Sequence, residues 1–203
     1  MDCKIVLHVD SAPFHSSRAK PTPTGATSGS MVIVSPAFPD AHWGRDDISP
    51  LFRPVFWFAS SRLGSRVIRS MVPVDRRLMR ATNGKYTLFG PSSMPELLLT
   101  TTGRKSGKQR VSPLSYVRDD DRALVLGSNF GQESHPAWSG NLLAHPQALV
   151  TMGGTEIPVT ASLLTGDERD RGLQKFLAYP MYRSYLSRTD RELRLFALSP
   201  SIE

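Results

Sequence analysis

The chain has 203 residues, 39% of them hydrophobic, which suits one domain with an extension. Its 25 Lys and Arg residues exceed its 18 Asp and Glu residues, and the formal net charge of +7 favours anionic partners such as a phosphorylated ligand or an anionic membrane surface. The single cysteine, Cys3, excludes an internal disulfide, and the spacing of the five histidines predicts no metal site.

The first quarter of the chain differs in composition from the rest. Residues 1–50 are rich in Ser, Pro, Thr and Gly, which predicts a disordered extension, because little apolar surface offsets the entropy of ordering. His8 and Asp10 interrupt its early apolar residues, so a signal peptide is not expected, and no run predicts a membrane-spanning helix. The sequence therefore predicts a cytoplasmic protein.

Residues 51–73 have the pattern of an amphipathic helix. Apolar residues such as Phe52, Val55 and Phe56 are interspersed with arginines, and the helix is expected to begin near Pro54. Two interpretations stay open. Packing on the domain is favoured; the alternative is a helix lying on anionic lipid, which places the protein at the inner face of the cell membrane.

Residues 96–117 predict a strand, a basic turn and a returning strand. The leucines and threonines of residues 97–102 suit a pleated strand, and Gly103 and Gly107 permit a tight turn with positive φ. This tip is either an ordinary solvated turn or a site for a phosphorylated ligand, because Arg offers a planar fork and Lys a point charge. Its polar side chains are Arg104, Lys105, Ser106, Lys108 and Arg110.

The second half of the chain predicts further hairpins joined by short helices. Strands are expected over residues 122–127, 148–152, 156–163 and 193–198. One helix is expected to start at Pro136, and another to follow Thr165, where Glu168 completes the pattern of a capping box. About six mostly antiparallel strands with flanking helices predict an α+β fold in which a small barrel carries helices at its side.

Tyr179, Tyr182 and Tyr185 are spaced three residues apart, which places them on one helical face if the helix continues past Pro180. Such a stripe is either packed against the domain or faces a ligand with its phenols.

Four segments in order resemble the deazaflavin-dependent nitroreductase and quinone reductase family, whose enzymes use coenzyme F420. They are LLLTTTGRKSGKQRVSPL, SNFGQESHPAWSGNLLAHP, YPMYRSY and TDRELRLFAL. The resemblance implies that residues 74–203 form the split β-barrel of flavin-binding reductases. It further implies hydride transfer from reduced F420 to a quinone, nitroaromatic or similar acceptor, with FMN as the alternative cofactor.

The resemblance also implies roles for individual residues. The coenzyme's phosphate and acidic tail are expected at Arg104, Lys105, Ser106 and Arg110. Its ribityl chain and ring are expected along Val111, Ser112, Pro113 and Leu114. The ring edge is expected at Leu126, Gly127, Ser128 and Asn129, the last standing where relatives carry Lys. A helix N-terminus facing an anion or the reduced ring is expected at Ala137, Trp138, Ser139, Gly140 and Asn141.

For catalysis, the resemblance points to Tyr182, which is also expected to contact the ring, with Tyr185 and Ser128 nearby. A phenol there is expected to hydrogen-bond the acceptor oxygen as negative charge develops. The alternative is that these tyrosines only pack against the domain. Likewise, a tryptophan such as Trp138 is more often a core aromatic than a cofactor contact.

A different class of function remains as an alternative: a non-catalytic module that binds a cofactor, haem or fatty acid. Nucleic acid is not an expected partner, because the aromatic-studded basic platform typical of single-strand binding is not evident. The acceptor stays open, and so does the choice between a monomer and a homodimer.

Overall fold

The computed structural model describes residue 38, residues 53–90 and residues 93–201. The extension predicted over residues 1–50 therefore lies outside the described residues except for Phe38, which packs in the barrel core.

Six antiparallel strands close into a barrel in the order β1-β2-β3-β6-β5-β4. Closure comes from β1, whose Leu99 lies opposite Ser112 on one side and Val150 on the other. This arrangement confirms the predicted α+β barrel with flanking helices. The strands are β1 (Glu96–Thr102), β2 (Gln109–Asp119), β3 (Arg122–Leu126), β4 (Gln147–Met152), β5 (Thr155–Leu163) and β6 (Leu195–Pro200).

Two apolar layers explain the burial patterns of these strands. On β5, buried Ile157, Val159 and Ala161 alternate with exposed residues, because successive side chains point to opposite faces of a strand. Strand β3 is buried on both faces: Val125 packs inside the barrel, whereas Leu124 packs in a second cluster with aromatic residues of the helices. The barrel therefore has a core inside it and another between its outer wall and the helices.

Within the described residues, five α-helices flank the barrel: α1 (Arg53–Ser60), α2 (Arg62–Ala81), α3 (Ala137–Ala144), α4 (Gly166–Leu177) and α5 (Pro180–Leu186). The helix predicted over residues 51–73 is divided at Ser61, and its second part continues to Ala81. The Ser61 hydroxyl accepts a hydrogen bond from the Gly64 amide at 2.9 Å and so caps a new helix. In the described part of the chain, no helix is long and apolar enough to cross a bilayer.

The predicted capping box at the start of α4 does not form. Thr165 is the N-cap residue, but its side chain makes no capping hydrogen bond. Glu168 instead accepts a hydrogen bond from Arg122 at 2.8 Å. The glutamate is therefore held by an ion pair with β3 rather than by the backbone of its own helix.

Helix α1 and the start of α2 are fixed to α5. The rings of Phe56 and Tyr179 have centroids 6.3 Å apart. The Arg188 guanidinium donates to the hydroxyls of Ser65 and Ser184, each at 2.9 Å, and to the Ser60 carbonyl. One face of this amphipathic region is thus packed on the domain, as the favoured interpretation expects.

We expect Phe196→Ala to lower the free energy of unfolding by about 3–5 kcal/mol, because it leaves a cavity in the barrel core. Phe196 is 1% exposed and lies edge-on to Trp138 at 5.8 Å. Leu163 is the matched control, since it pairs with Phe196 across β5 and β6 but is 42% exposed. Urea denaturation should show a loss below about 1 kcal/mol for Leu163→Ala; equal losses would contradict this description of the core.

Candidate functional site

A cavity of about 730 Å³ opens between α2, the tip of the β1–β2 hairpin and the start of α3. From the hairpin, its lining includes the predicted residues Arg104, Lys105, Ser106, Arg110, Val111 and Ser112. From α3, it includes the predicted residues Ala137, Trp138 and Asn141. Two elements far apart in the sequence thus place most of the expected phosphate site around one space.

The hairpin tip is a tight turn, as its glycines predict. The Gly103 amide donates to the Lys108 carbonyl at 2.9 Å, and the Gly107 amide donates to the Gly103 carbonyl at 2.8 Å. Gly107 has a φ of 66°, in the left-handed region that glycine tolerates. The turn leaves the side chains of Arg104 and Lys105 exposed at the cavity.

Asn141 anchors this tip to α3. Its side-chain oxygen accepts from the Arg104 amide at 3.1 Å, and its side-chain nitrogen donates to the Thr101 hydroxyl at 3.0 Å. The side chain is buried, with 5% of its surface exposed. Gly140 contributes on the same helix, because a Cβ atom there would collide with the Arg104 guanidinium. The helix and the hairpin are therefore held in register across the cavity.

Sequence reasoning missed the contribution of α2. Arg76, Arg77 and Arg80 line the cavity opposite the hairpin, and Gln109 adds a polar group. The signal was the cluster DRRLMRA, in which Arg80 lies four residues after Arg76 and three after Arg77, spacings that bring side chains together on one side of a helix. Among the described residues, the charged members of this lining are all Arg or Lys, so the cavity suits an anion with more than one charged group.

The residues expected at the ring edge lie outside this lining. Leu126 is buried in the layer beneath the helices, and the Gly127 amide donates to the Arg194 carbonyl at 2.8 Å. The Ser128 carbonyl accepts from Arg191 at 2.7 Å, and Asn129 donates from its side chain to the Ser134 carbonyl at 2.8 Å. The other expected contacts outside the lining are Pro113, Leu114, Ser139, Gly140 and Tyr182.

Arginines hold the loop that follows Ser128. The guanidinium of Arg191 lies 3.1 Å from Nδ1 of His135 and donates to the Gln132 carbonyl at 2.8 Å. Burial lowers the pKa of His135, and the nearby charges of Arg194 and Arg191 lower it further. His135 is therefore a neutral acceptor at physiological pH, which fits a structural role.

The tyrosines lie beneath α1. Tyr182 and Tyr185 are 6% and 4% exposed, with their rings edge-on at 5.8 Å, and neither lines the cavity described above. Phe130, from the loop after Ser128, meets Tyr185 at 5.8 Å. Burial raises the pKa values of both phenols, so both keep their protons at neutral pH and can donate hydrogen bonds.

The sequence profile of the F420H(2)-dependent quinone reductase family matches residues 72–200. Together with the six-stranded barrel, this match defines an oxidoreductase that works with a reduced deazaflavin. The chain belongs to the F420H(2)-dependent quinone reductase family.

Individual relatives agree with this assignment. The F420H(2)-dependent quinone reductase Rv1261c of Mycobacterium tuberculosis is 32% identical over 126 residues, which are 60% of this chain and 85% of that protein. Rv3178 of the same organism is provisionally named an F420H(2)-dependent quinone reductase. It is 36% identical over 108 residues, which are 53% of this chain and 91% of that protein. A solved structure described as a domain-swapped dimer has a TM-score of 0.51 and 33% identity, covering 67% of this chain and 99% of its own.

We expect Asn141→Ala to lower the free energy of unfolding by about 1–3 kcal/mol, because the Arg104 amide and the Thr101 hydroxyl lose their partner. Leu143→Ala is the control on the same helix, since Leu143 is 49% exposed. Hydrogen exchange at the hairpin tip should quicken in the Asn141 variant alone. An unchanged exchange rate there would show that Asn141 is not the anchor.

Proposed function

We propose that this chain transfers hydride from reduced coenzyme F420 to a quinone, and that the cavity between α2, the hairpin and α3 holds the anionic end of the coenzyme. The observation that carries the proposal is the set of cationic side chains converging there from α2 and the β1–β2 hairpin. F420 has a phosphate and an acidic glutamyl tail, so it matches a site with several cations better than a ligand with one charge does.

The residues present fit this ligand. Arg104 and Lys105 at the anchored tip are proposed to hold the phosphate, and Arg76 and Arg80 of α2, which line the same cavity, are proposed to hold carboxylates of the tail. Val111 gives the cavity an apolar wall along β2, and Trp138, which is mostly core, closes its floor. The bound coenzyme supplies the hydride chemistry, and the chain binds, orients and shields it.

The acceptor is proposed to be a quinone or, in the same role, a nitroaromatic compound. Tyr182 is the proposed donor of a hydrogen bond to the acceptor oxygen, because its buried phenol stays protonated. Tyr185 and Ser128 are proposed to support it, the former through direct ring contact and the latter from the adjacent loop. Helix α1 covers this layer, with Phe56 packed against Tyr179.

That side of the molecule is suited to a membrane surface. Val55, Trp57 and Leu63 are 56%, 78% and 64% exposed on α1 and the start of α2, and exposed arginines follow at positions 62, 66 and 69. Apolar side chains next to cations are typical of helices that lie on anionic lipid. We propose that this face rests on such a surface, where lipid-soluble quinones are concentrated.

F420 is favoured over FMN as the cofactor of this site. FMN carries a phosphate but no acidic tail, so it leaves the α2 arginines without an anionic partner, and F420 is the proposed cofactor.

A homodimer is the proposed assembly, with support from the relative described as a domain-swapped dimer. Light scattering distinguishes it from a monomer.

Replacing Arg76 and Arg80 together by Ala should weaken binding of reduced F420 by about 10-fold or more at low salt, because charge-assisted contacts are lost. The difference should shrink at high salt, where screening already weakens the wild type. The matched control is Arg66→Ala with Arg69→Ala, which removes the same charge from exposed positions of α2 that do not line the cavity.

Fluorescence titration measures the affinity, and stopped-flow oxidation of bound reduced F420 by menadione measures turnover. Equal weakening in both double variants would remove the α2 arginines from the site. Tight FMN binding without any response to F420 would overturn the proposed function itself.

For the membrane surface, we expect the protein to co-sediment with vesicles of phosphatidylserine and phosphatidylcholine but weakly with phosphatidylcholine alone. Trp57→Ser combined with Leu63→Ser should release it, since both side chains are exposed on the proposed face. Leu163→Ser, exposed on β5, is the control that should bind like the wild type. Binding that survives the double substitution would exclude this face.

A further inference from the structure

A cluster of polar side chains lies beneath α2 at the start of β1. The Thr87 hydroxyl oxygen is 2.8 Å from Oδ1 of Asp75 and 2.8 Å from Oε2 of Glu96. The Leu88 amide also donates to Oδ1 of Asp75, at 2.6 Å. Asp75 and Thr87 are 1% and 7% exposed and Glu96 is half-buried, so two carboxyl groups share one hydroxyl at a site with little access to solvent.

This geometry requires a proton on one of the two acids. A hydroxyl has a single hydrogen, so Thr87 donates to one carboxyl group and accepts from the other. Asp75 already accepts a hydrogen bond from the Leu88 amide, so we assign the shared proton to Glu96. Burial, followed by the charge of Asp75, raises the pKa of Glu96 to about 8, which agrees with the hydrogen-bond count.

The protonated acid is connected to the tyrosine layer. Ser115 of β2 lies directly opposite Glu96 of β1 in the sheet register. Hydrogen bonding from its side chain lowers the pKa of Glu96 and of the Tyr182 phenol, against the larger effect of burial. The groups facing Glu96 are thus Asp75 from α2, Thr87 from the preceding loop, Ser115 from β2 and Tyr182 from α5.

We propose that Glu96 is the proton reserve for Tyr182, acting through Ser115 when a quinone is reduced. The inference rests on the proposed function, in which Tyr182 hydrogen-bonds the acceptor. Because Glu96 acts through other groups, it is a positioning residue for the proton rather than a group that touches the acceptor.

The proton balance is complete. A quinone becomes a hydroquinone by taking one hydride, supplied by the reduced coenzyme, and one proton. Tyr182 gives its phenolic proton to the acceptor oxygen, Ser115 passes its hydroxyl proton to Tyr182, and Glu96 passes its own to Ser115. Glu96 is left as a carboxylate beside Asp75, an unfavourable like-charge pair that drives reprotonation from solvent. A donor with a pKa near the working pH is suited to this cycle.

The test compares Glu96→Gln with the wild type. Gln keeps the size and hydrogen bonding of the acid but holds no transferable proton. In stopped-flow reduction of menadione, the wild-type rate should fall as the pH rises through about 8, where Glu96 ionises. The Glu96→Gln rate should be about 10-fold lower below that pH and should lose this dependence, with the affinities for reduced F420 and menadione unchanged.

A second readout needs no coenzyme. The folded protein holds the Glu96 proton at pH values where the unfolded chain has released it, so wild-type stability should fall as the pH rises from 4.5 to about 8. Glu96→Gln should remove the part of this decrease in stability that comes from the Glu96 proton. Glu156→Gln, at an exposed position of β5, is the matched control and should behave like the wild type in both measurements.

Ser115→Ala breaks the proposed path while leaving the two acids in place. In this variant, the rate of quinone reduction should no longer depend on Glu96, but the free energy of unfolding should still fall as the pH rises. A purely structural role of Glu96 would not separate these two effects. Tyr182→Phe combined with Glu96→Gln should be no slower than Tyr182→Phe alone, because both lie on one path.

A wild-type pH profile in Glu96→Gln, with quinone reduction intact, would overturn this inference and leave the proposed function standing. Absence of quinone reduction by reduced F420 in the wild type would instead overturn the proposed function.

Discussion

The candidate site depends on holding several like charges around one cavity. Arg76 and Arg80 on α2 face Arg104 and Lys105 on the hairpin tip, and their mutual repulsion opposes this arrangement. The fold resists it with contacts that involve none of these charges: Asn141 ties the tip to α3, and Arg188 ties the start of α2 to α5. An anionic ligand relieves the repulsion, so binding and local stability are coupled.

Strand β1 links the parts of the molecule that this function needs. Its hydrogen bonds to β2 and β4 close the barrel, and its Leu97 and Leu99 fill the interior. Its end leads into the cationic tip, whereas its first residue, Glu96, forms an acid pair with Asp75 of α2 through the Thr87 hydroxyl. One short strand therefore spans from the candidate site to the polar network that includes Glu96 and Asp75.

Local signals were sufficient to predict the hairpin and the barrel. The threonines of β1, and Gly107 with its positive φ, are visible in the sequence as strand and turn, and the family resemblance extended them to the whole fold. The contribution of Arg76 to the cavity was missed because it depends on how α2 crosses the hairpin. The interruption at Ser61 was missed because a serine cap inside an apolar, basic run gives a weak signal.

The same limit applies to Glu96, which in the sequence is merely a polar residue before a leucine run. Its character comes from partners 21 residues upstream and 19 residues downstream, Asp75 and Ser115, which only the folded chain brings together. The molecule thus uses ionisable groups in two opposite ways. The exposed cations of the tip are proposed to attract the ligand, whereas burial raises the pKa values of half-buried Glu96 and buried Tyr182, so both are proposed to hold a proton for transfer. Burial decides between the two, because removing water penalises the charged form.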